Sequence, residues 1–293
     1  MAECSVLDGC QFPVPSIERS APKILVFDSG LGGLSVFREV VRLRPDARFA
    51  YAADDAGFPY GGWSDGALMA RVCRVMDALV DEVRPDLVVV ACGTASTLTL
   101  PALRARHTVA FVGTVPAIKP ACASSRSRQI SVLATPGTVR RDYTASLIRD
   151  FAASCTVTLV ASEKLAGFVE DILHGHPVTD GDLRDEIAPC FVEGSSGVTD
   201  TVVLACTHYP LVLDRLARLA PWPVQWVDPA PAIARRVGTL LDARVGARSL
   251  ERDPTPVQLL STGAPLDGAL ISAWIGRSVM TPRVLSTPFA EAS

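Results

Sequence analysis

The chain lacks most of the features that would commit it to a common chemistry. Its eight cysteines include no C-x-x-C pair, and only four histidines accompany them. That spacing argues against a zinc site or a disulfide framework, so no metal is expected. Charge of one sign is missing too: 28 basic residues face 31 acidic ones, a net charge of −3. A near-neutral surface gives no electrostatic footprint for nucleic acid or for a membrane. The sparse basic group Arg126, Arg128, Arg140 and Arg141 reads as a solvated face. No apolar run reaches the ~20 residues of a membrane-spanning helix. Residues 1–22 carry Glu3 and Asp8 and are broken by Pro13, Pro15 and Pro22. They read as a loose leader rather than a signal peptide. Unpaired cysteines then fit a soluble protein in a reducing cytoplasm.

What is present is an alternation of short β-branched runs with helical patterns. Strands are expected over 24–27, 48–52, 87–91, 108–112, 129–134, 157–161, 202–205 and 224–227. Several of these, such as Leu87-Val88-Val89-Val90, are apolar throughout, the mark of parallel strands covered on both faces. The clearest helix is 66–83, where Leu68, Val72, Val75, Met76, Leu79 and Val83 share one stripe. Further helices are expected over 31–43, 139–151, 210–219 and 233–241. The pattern predicts an α/β fold: two α/β domains with mostly parallel sheets, related by pseudo-two-fold symmetry, with the active site between them. The first domain comprises 23–115 plus 229–276, with 257–262 returning to it as a strand. The second spans 116–228, and 277–293 form a Pro- and Ser-rich tail expected to be poorly ordered.

Two segments echo each other across these halves. Val90-Ala91-Cys92-Gly93-Thr94-Ala95-Ser96 and Leu204-Ala205-Cys206-Thr207-His208-Tyr209-Pro210 each end an apolar run with Ala-Cys, followed by threonine. Ligands bind at strand ends in α/β folds. Two thiols facing one stereocentre could remove a proton from one face and return one to the other. A thiol must reach thiolate to act as a base, and its free pKa near ~8.5 makes that costly. His208, and a helix starting near Pro210, are placed to lower that cost. Either cysteine alone reads as a small apolar residue ending a buried strand; it is their repetition that points to chemistry. The turn Asp28-Ser29-Gly30-Leu31-Gly32-Gly33-Leu34-Ser35 fails as a dinucleotide motif because Ser35 stands where glycine is required. It still presents Asp28, Ser29 and helix-start amides to an amino-acid substrate. Tyr60 and the Gly61 amide, in the loop 54–62, could line the same pocket. His174 and His176 read as loop residues.

With these residues assembled, the chain resembles the glutamate racemases of the cofactor-independent aspartate/glutamate racemase superfamily. The resemblance is carried by residues 27–35, Pro59-Tyr60-Gly61, Ala91-Cys92-Gly93-Thr94-Ala95-Ser96, residues 132–139, Cys206-Thr207-His208-Tyr209-Pro210-Leu211 and Val227-Asp228-Pro229. It implies Cys92 and Cys206 as paired acid/bases, Asp28 assisting the first and His208 the second. It also implies Ser29, Tyr60, Gly61, Thr94 and Thr207 as substrate-binding residues. No cofactor is implied, and the expected partner is glutamate. D-Glutamate would serve peptidoglycan synthesis in a bacterial cytoplasm, and such enzymes are often homodimers.

Two departures stand out. Gly93 occupies the place of a family asparagine. Ala161-Ser162-Glu163 replaces a usual Ala-Cys-Pro, upstream of Val169-Glu170, where Glu170 is carried across as an acidic helper of Cys206. The loss of an amide at Gly93 leaves two alternatives open: a racemase of aspartate or another acidic substrate, and a binding or regulatory paralogue. If the pocket has space there, asparagine at position 93 is expected to raise glutamate turnover.

Overall fold

The computed structural model describes residues 21–194, 197–245 and 251–285; most of the leader and residues 286–293 lie outside them. The chain opens with β1 (Lys23–Asp28), α1 (Leu34–Leu43), β2 (Arg48–Ala53), α2 (Asp65–Val83), β3 (Leu87–Val90), α3 (Gly93–Arg106) and β4 (Ala110–Gly113). It continues through α4 (Ile118–Ser124), β5 (Gln129–Ala134), α5 (Pro136–Val139), α6 (Asp142–Phe151), β6 (Thr156–Ala161), α7 (Leu165–Leu173) and α8 (Asp180–Ile187). A small antiparallel pair, β7 (Glu193–Gly194) and β8 (Gly197–Val198), precedes β9 (Thr201–Leu204), α9 (Leu213–Leu219) and β10 (Gln225–Val227). The described chain ends with α10 (Ala230–Val245), β11 (Gln258–Ser261), α11 (Gly268–Ile275) and β12 (Arg283–Val284).

The strands form two parallel sheets, ordered β12-β11-β2-β1-β3-β4 and β10-β9-β5-β6. Leaving aside the additions β11 and β12, each sheet sets its first strand between its second and third, with its fourth beyond the third. The strand order therefore reverses at β1/β3 in one sheet and at β5/β9 in the other. Such a reversal opens a crevice at the carboxyl ends of the strands. Strand alternation divides each core in two. Ile24 and Val26 pack in one cluster with α1 and α10, while Leu25 and Phe27 join Leu68, Val72 and Met76 of α2 in another. This two-sided burial explains the unbroken apolar runs of the sequence.

The structure departs from the expected elements in four places. Helix α1 begins at Leu34, not Leu31, because residues 29–33 stay in the turn. The helix expected over 139–151 is split at Arg140-Arg141, and Thr144 Oγ1 bonds the Thr138 carbonyl at 2.7 Å across the break. Helix α3 has no amphipathic stripe, is rich in threonine and contains Pro101, so the periodicity gave no sign of it; it is helical because Ala95, Thr99, Leu100 and Leu103 are buried. The stretch after 276 was expected to be poorly ordered. Its described part instead adds β12, with Leu285 N bonding Ser261 O at 2.8 Å and the buried Arg277 guanidinium bonding the Pro45 carbonyl at 3.2 Å.

Asp200 fixes the strand that leads to Cys206. Its carboxylate accepts from Ser125 Oγ and Arg126 N at 2.7 Å, Ser127 N at 2.8 Å and Thr201 Oγ1 at 2.9 Å, tying the α4–β5 turn to β9. Burial would raise its pKa, but these donors outweigh it and draw the group down to about 2. A depressed carboxylate stabilises the fold above its unfolded pKa and loses that contribution as pH falls towards about 2. Asp200→Asn is therefore expected to cost about 1 kcal/mol at neutral pH, allowing for solvent screening of a part-buried group. In urea titrations the difference from the native chain should shrink as pH falls from 5 towards 2; a constant difference would contradict this role.

Candidate functional site

The two Ala-Cys segments meet across one cleft. One narrow cavity is lined from the first sheet by Ser29, Tyr60, Gly61, Cys92, Gly93 and Thr94. From the second sheet come Thr135, Ala166, Ala205, Cys206, Thr207 and His208. All the proposed substrate-binding positions except Asp28 lie on its wall; Asp28 and Glu170 stand behind it.

Each thiol is backed by a carboxylate through one intermediate side chain. On the first side, Cys92 Sγ is 3.8 Å from Ser29 Oγ, which lies 3.3 Å from Asp28 Oδ1. Asp28 also accepts from Gly30 N at 3.2 Å and from Thr207 Oγ1 at 2.9 Å. On the second side, Cys206 Sγ is 3.7 Å from His208 Nδ1, and His208 Nε2 is 2.8 Å from Glu170 Oε1. Leu31 N donates to the same Glu170 oxygen at 2.6 Å. The sequence-derived pairings of Asp28 with Cys92, and of His208 and Glu170 with Cys206, are thus brought together in space.

The two sides differ electrostatically. Burial and the neighbouring Asp28 charge push the Cys92 thiol well up, beyond what the Ala95 amide and Ser29 hydroxyl restore. Burial likewise raises Asp28, against the opposing effects of His208 and Thr207. For His208, burial alone would favour the neutral ring, but hydrogen bonds to Cys206 and Glu170 outweigh it and hold its pKa well above normal. Glu170 is lowered, the His208 contact overcoming its burial. The first side therefore disfavours thiolate, while the second favours the protonated form of its imidazole.

The glycine-rich turn explains how these groups fit. A Cβ at Gly32 would stand 2.3 Å from His208 Nδ1, and one at Gly30 would stand 2.3 Å from Glu170 Oε1. These glycines make room for the second sheet's acid/base pair. The Ser162 departure also has a use: its hydroxyl accepts from Leu165 N at 3.2 Å and donates to Glu186 at 2.6 Å, capping the helix that carries Glu170.

The structure adds detail to one expectation and corrects another. Tyr60 lines the cavity with its ring, while its hydroxyl donates to buried Asp54, which also takes Arg71 Nε at 2.6 Å and Thr262 Oγ1 at 2.6 Å. The hydroxyl thus holds the loop instead of facing the cleft. Second, no α-helix starts at Pro210: a single 3₁₀ turn over Tyr209–Val212 precedes α9. It is Cys92 that sits at a helix start, at the N-cap of α3. Sequence reasoning missed Thr135, whose hydroxyl meets Thr94 Oγ1 at 2.8 Å. It follows β5 as Ser29 follows β1, and that equivalence was the signal available. Among the described residues, no group of three His, Cys, Asp or Glu side chains is arranged to hold a metal ion, and no helix is long and apolar enough to cross a membrane.

Comparison with known proteins shows the family. The pattern of the Asp/Glu/Hydantoin racemase family matches residues 47–237, and the chain belongs to that family. Within it, the chain is 53% identical over 232 residues to the glutamate racemase of Brucella anthropi, covering 79% of this chain and 83% of that protein. It is 53% identical over 244 residues to the glutamate racemase of Sinorhizobium medicae, covering 83% and 89%. The Escherichia coli glutamate racemase, solved in complex with L-glutamate and an activator, superposes with a TM-score of 0.80 at 36% identity, covering 90% of this chain and 98% of that one.

The packing against Gly32 can be tested directly. Gly32→Ala is expected to destabilise the protein by about 1–3 kcal/mol, the usual cost of overpacking, and to shift the His208 imidazole. Urea unfolding reads the first effect and histidine NMR the second. An alanine variant with native stability and an unmoved His208 signal would contradict the close fit.

Proposed function

We propose that this chain interconverts L- and D-glutamate by proton transfer between Cys92 and Cys206, with no cofactor. The observation that carries the reading is the pairing of the two thiols on one cavity, each backed by its own carboxylate. The relatives named above support glutamate as the substrate.

A two-base inversion needs one thiol deprotonated and the other protonated at the start of each turnover, because thiolate is the base and thiol the acid. Cys92 beside Asp28 starts as the acid for one enantiomer, with Cys206 beside His208 as the base. The roles reverse for the other enantiomer. Substrate carboxylates are taken by neutral donors: the hydroxyls of Ser29, Thr94 and Thr135 and the backbone amides at Gly61 and Gly93, with the Thr207 hydroxyl held by Asp28. Among the described residues, no lysine or arginine lines the cavity. On this reading the reaction supplies D-glutamate for peptidoglycan in a bacterial cytoplasm.

The direct test is circular dichroism of L- and D-glutamate incubated with pure protein and no added cofactor. Cys92→Ala and Cys206→Ala are each expected to lower inversion by at least about 10²–10⁴-fold, the usual contribution of one acid/base group. Full activity in either variant would sink the two-thiol mechanism.

Gly93 calls for a reversal of the sequence-based expectation. A Cβ there would stand 3.0 Å from the Ala205 carbonyl oxygen. Ala205 is held in turn by its own N–H on Leu133 O at 2.9 Å. A side chain at position 93 therefore needs the backbone beside Cys206 to give by a few tenths of an ångström. Gly93→Asn is thus expected to lower kcat/KM for glutamate about tenfold, equivalent to roughly 1.4 kcal/mol. Polarimetric kinetics check this, and an increase would show that the strand end yields.

A further inference from the structure

The turn that carries Cys206 also carries a hydroxyl that the rest of the site does not use. Tyr209 N donates to the Cys206 carbonyl at 3.3 Å. A bond of this kind closes a four-residue turn and keeps its two ends within about 7 Å. The Tyr209 side chain is fully buried and belongs to the same core as Cys206, Leu165, Ala166 and Val169. Its hydroxyl has no hydrogen-bond partner among the described residues. Two polar groups nevertheless lie beside that oxygen, the Cys206 sulfur and the Ser162 hydroxyl, with Glu186 behind them. Ser162 is already engaged, accepting from Leu165 N at 3.2 Å and donating to Glu186 at 2.6 Å. An orphaned hydroxyl is costly to bury, and a phenylalanine ring would fill the same space without that cost. The fold gains nothing from this hydroxyl; what it offers lies at the sulfur.

The two sides of the cleft differ in this respect. Cys92 Sγ has the Ser29 hydroxyl at 3.8 Å. The hydroxyl next to Cys206 in sequence, that of Thr207, is turned away and donates to Asp28 at 2.9 Å. Cys206 Sγ keeps His208 Nδ1 at 3.7 Å. The other charged or titratable groups around it stand further off: Glu170 behind His208, Glu186 behind Ser162, Asp28 behind Thr207, and Cys92 across the cleft. Tyr209 supplies a neutral donor on this side.

We propose that the Tyr209 hydroxyl donates a hydrogen bond to Cys206 when that sulfur is a thiolate, doing for it what Ser29 does for Cys92. The proposal deepens the two-thiol reading above and rests on it. The phenol keeps its proton throughout, since burial and the charge at Cys206 hold its pKa well above normal. It stabilises the anion without acting as a third acid, so the proton count of each inversion is unchanged. The O–H need only turn, and the two atoms close slightly, for the bond to form. When Cys206 takes up a proton the bond weakens again, because a neutral thiol is a poor acceptor.

The test separates the hydroxyl from the ring. In Tyr209→Phe the urea midpoint is expected to stay at its native value or rise, since a buried group without a partner is removed. Reaction of Cys206 with iodoacetamide, followed peptide by peptide in mass spectrometry, reports its thiolate at each pH. That profile is expected to move up by about one pH unit, a tenfold loss of thiolate at a given pH, while the profile of Cys92 does not rise. The kcat/KM should fall about tenfold for L- and D-glutamate alike, because the two enantiomers are equal in energy. A Cys206 profile at its native position would overturn the proposal, and so would an equal rise at both thiols. A fall in stability would also overturn it, by showing that the hydroxyl holds the fold. The alkylation profile needs no turnover, so it is read independently of the mechanism. Native inversion rates in Cys206→Ala would bring down the two-thiol reading, and with it the role given to Tyr209, even where the profile had moved.

Discussion

Four hydrogen bonds join the end of β1, the turn after it and the start of α1 to α7 and to the segment that follows β9. Leu31 N reaches Glu170, Gly32 N reaches His208, Thr207 Oγ1 reaches Asp28, and Ser35 Oγ reaches the Thr207 carbonyl at 2.8 Å. Each satisfies a polar group that would be costly to bury alone. Together they bring the second sheet's acid/base pair against the first sheet's turn. The position of Cys206 relative to Cys92 follows from this contact, because both cysteines leave their strands within two residues and have little freedom of their own. A glycine-rich turn that would otherwise suggest phosphate binding is here a backbone surface shaped to receive an imidazole and a carboxylate.

Much of this was legible in the chain. The parallel sheets could be read from runs such as Leu87-Val88-Val89-Val90, where the lack of alternation marks a strand covered on both faces. The thiols could be read because the same Ala-Cys strand ending occurs twice. The parts that were not legible are those where local pattern and tertiary demand part ways. Helix α3 carries Pro101 and a threonine-rich face, and it is helical because it is wedged against α2 and β4. The partners of the Tyr60 hydroxyl were not legible either; only the fold shows Asp54 and Arg71 buried beside it. The effect of Gly93 could not be deduced at all, since the atom that decides it, the Ala205 carbonyl oxygen, belongs to a distant segment.

On the two-thiol reading proposed above, the charge layout of the cleft suits the chemistry. A lysine or arginine on the wall would hold a substrate carboxylate firmly, but it would also favour thiolate on whichever cysteine it lay nearer. An acid and a base that exchange roles with direction tolerate little such bias. Neutral hydroxyls and amides avoid it, since they bind a carboxylate without adding a net charge beside either sulfur. The carboxylates sit one layer back, each reaching its thiol through a single intermediary, serine on one side and histidine on the other. The intermediaries are not equivalent: a serine hydroxyl can only orient and share a proton, whereas an imidazole can hold one. The pseudo-symmetric sheets thus carry two arms of equal length and unequal chemistry.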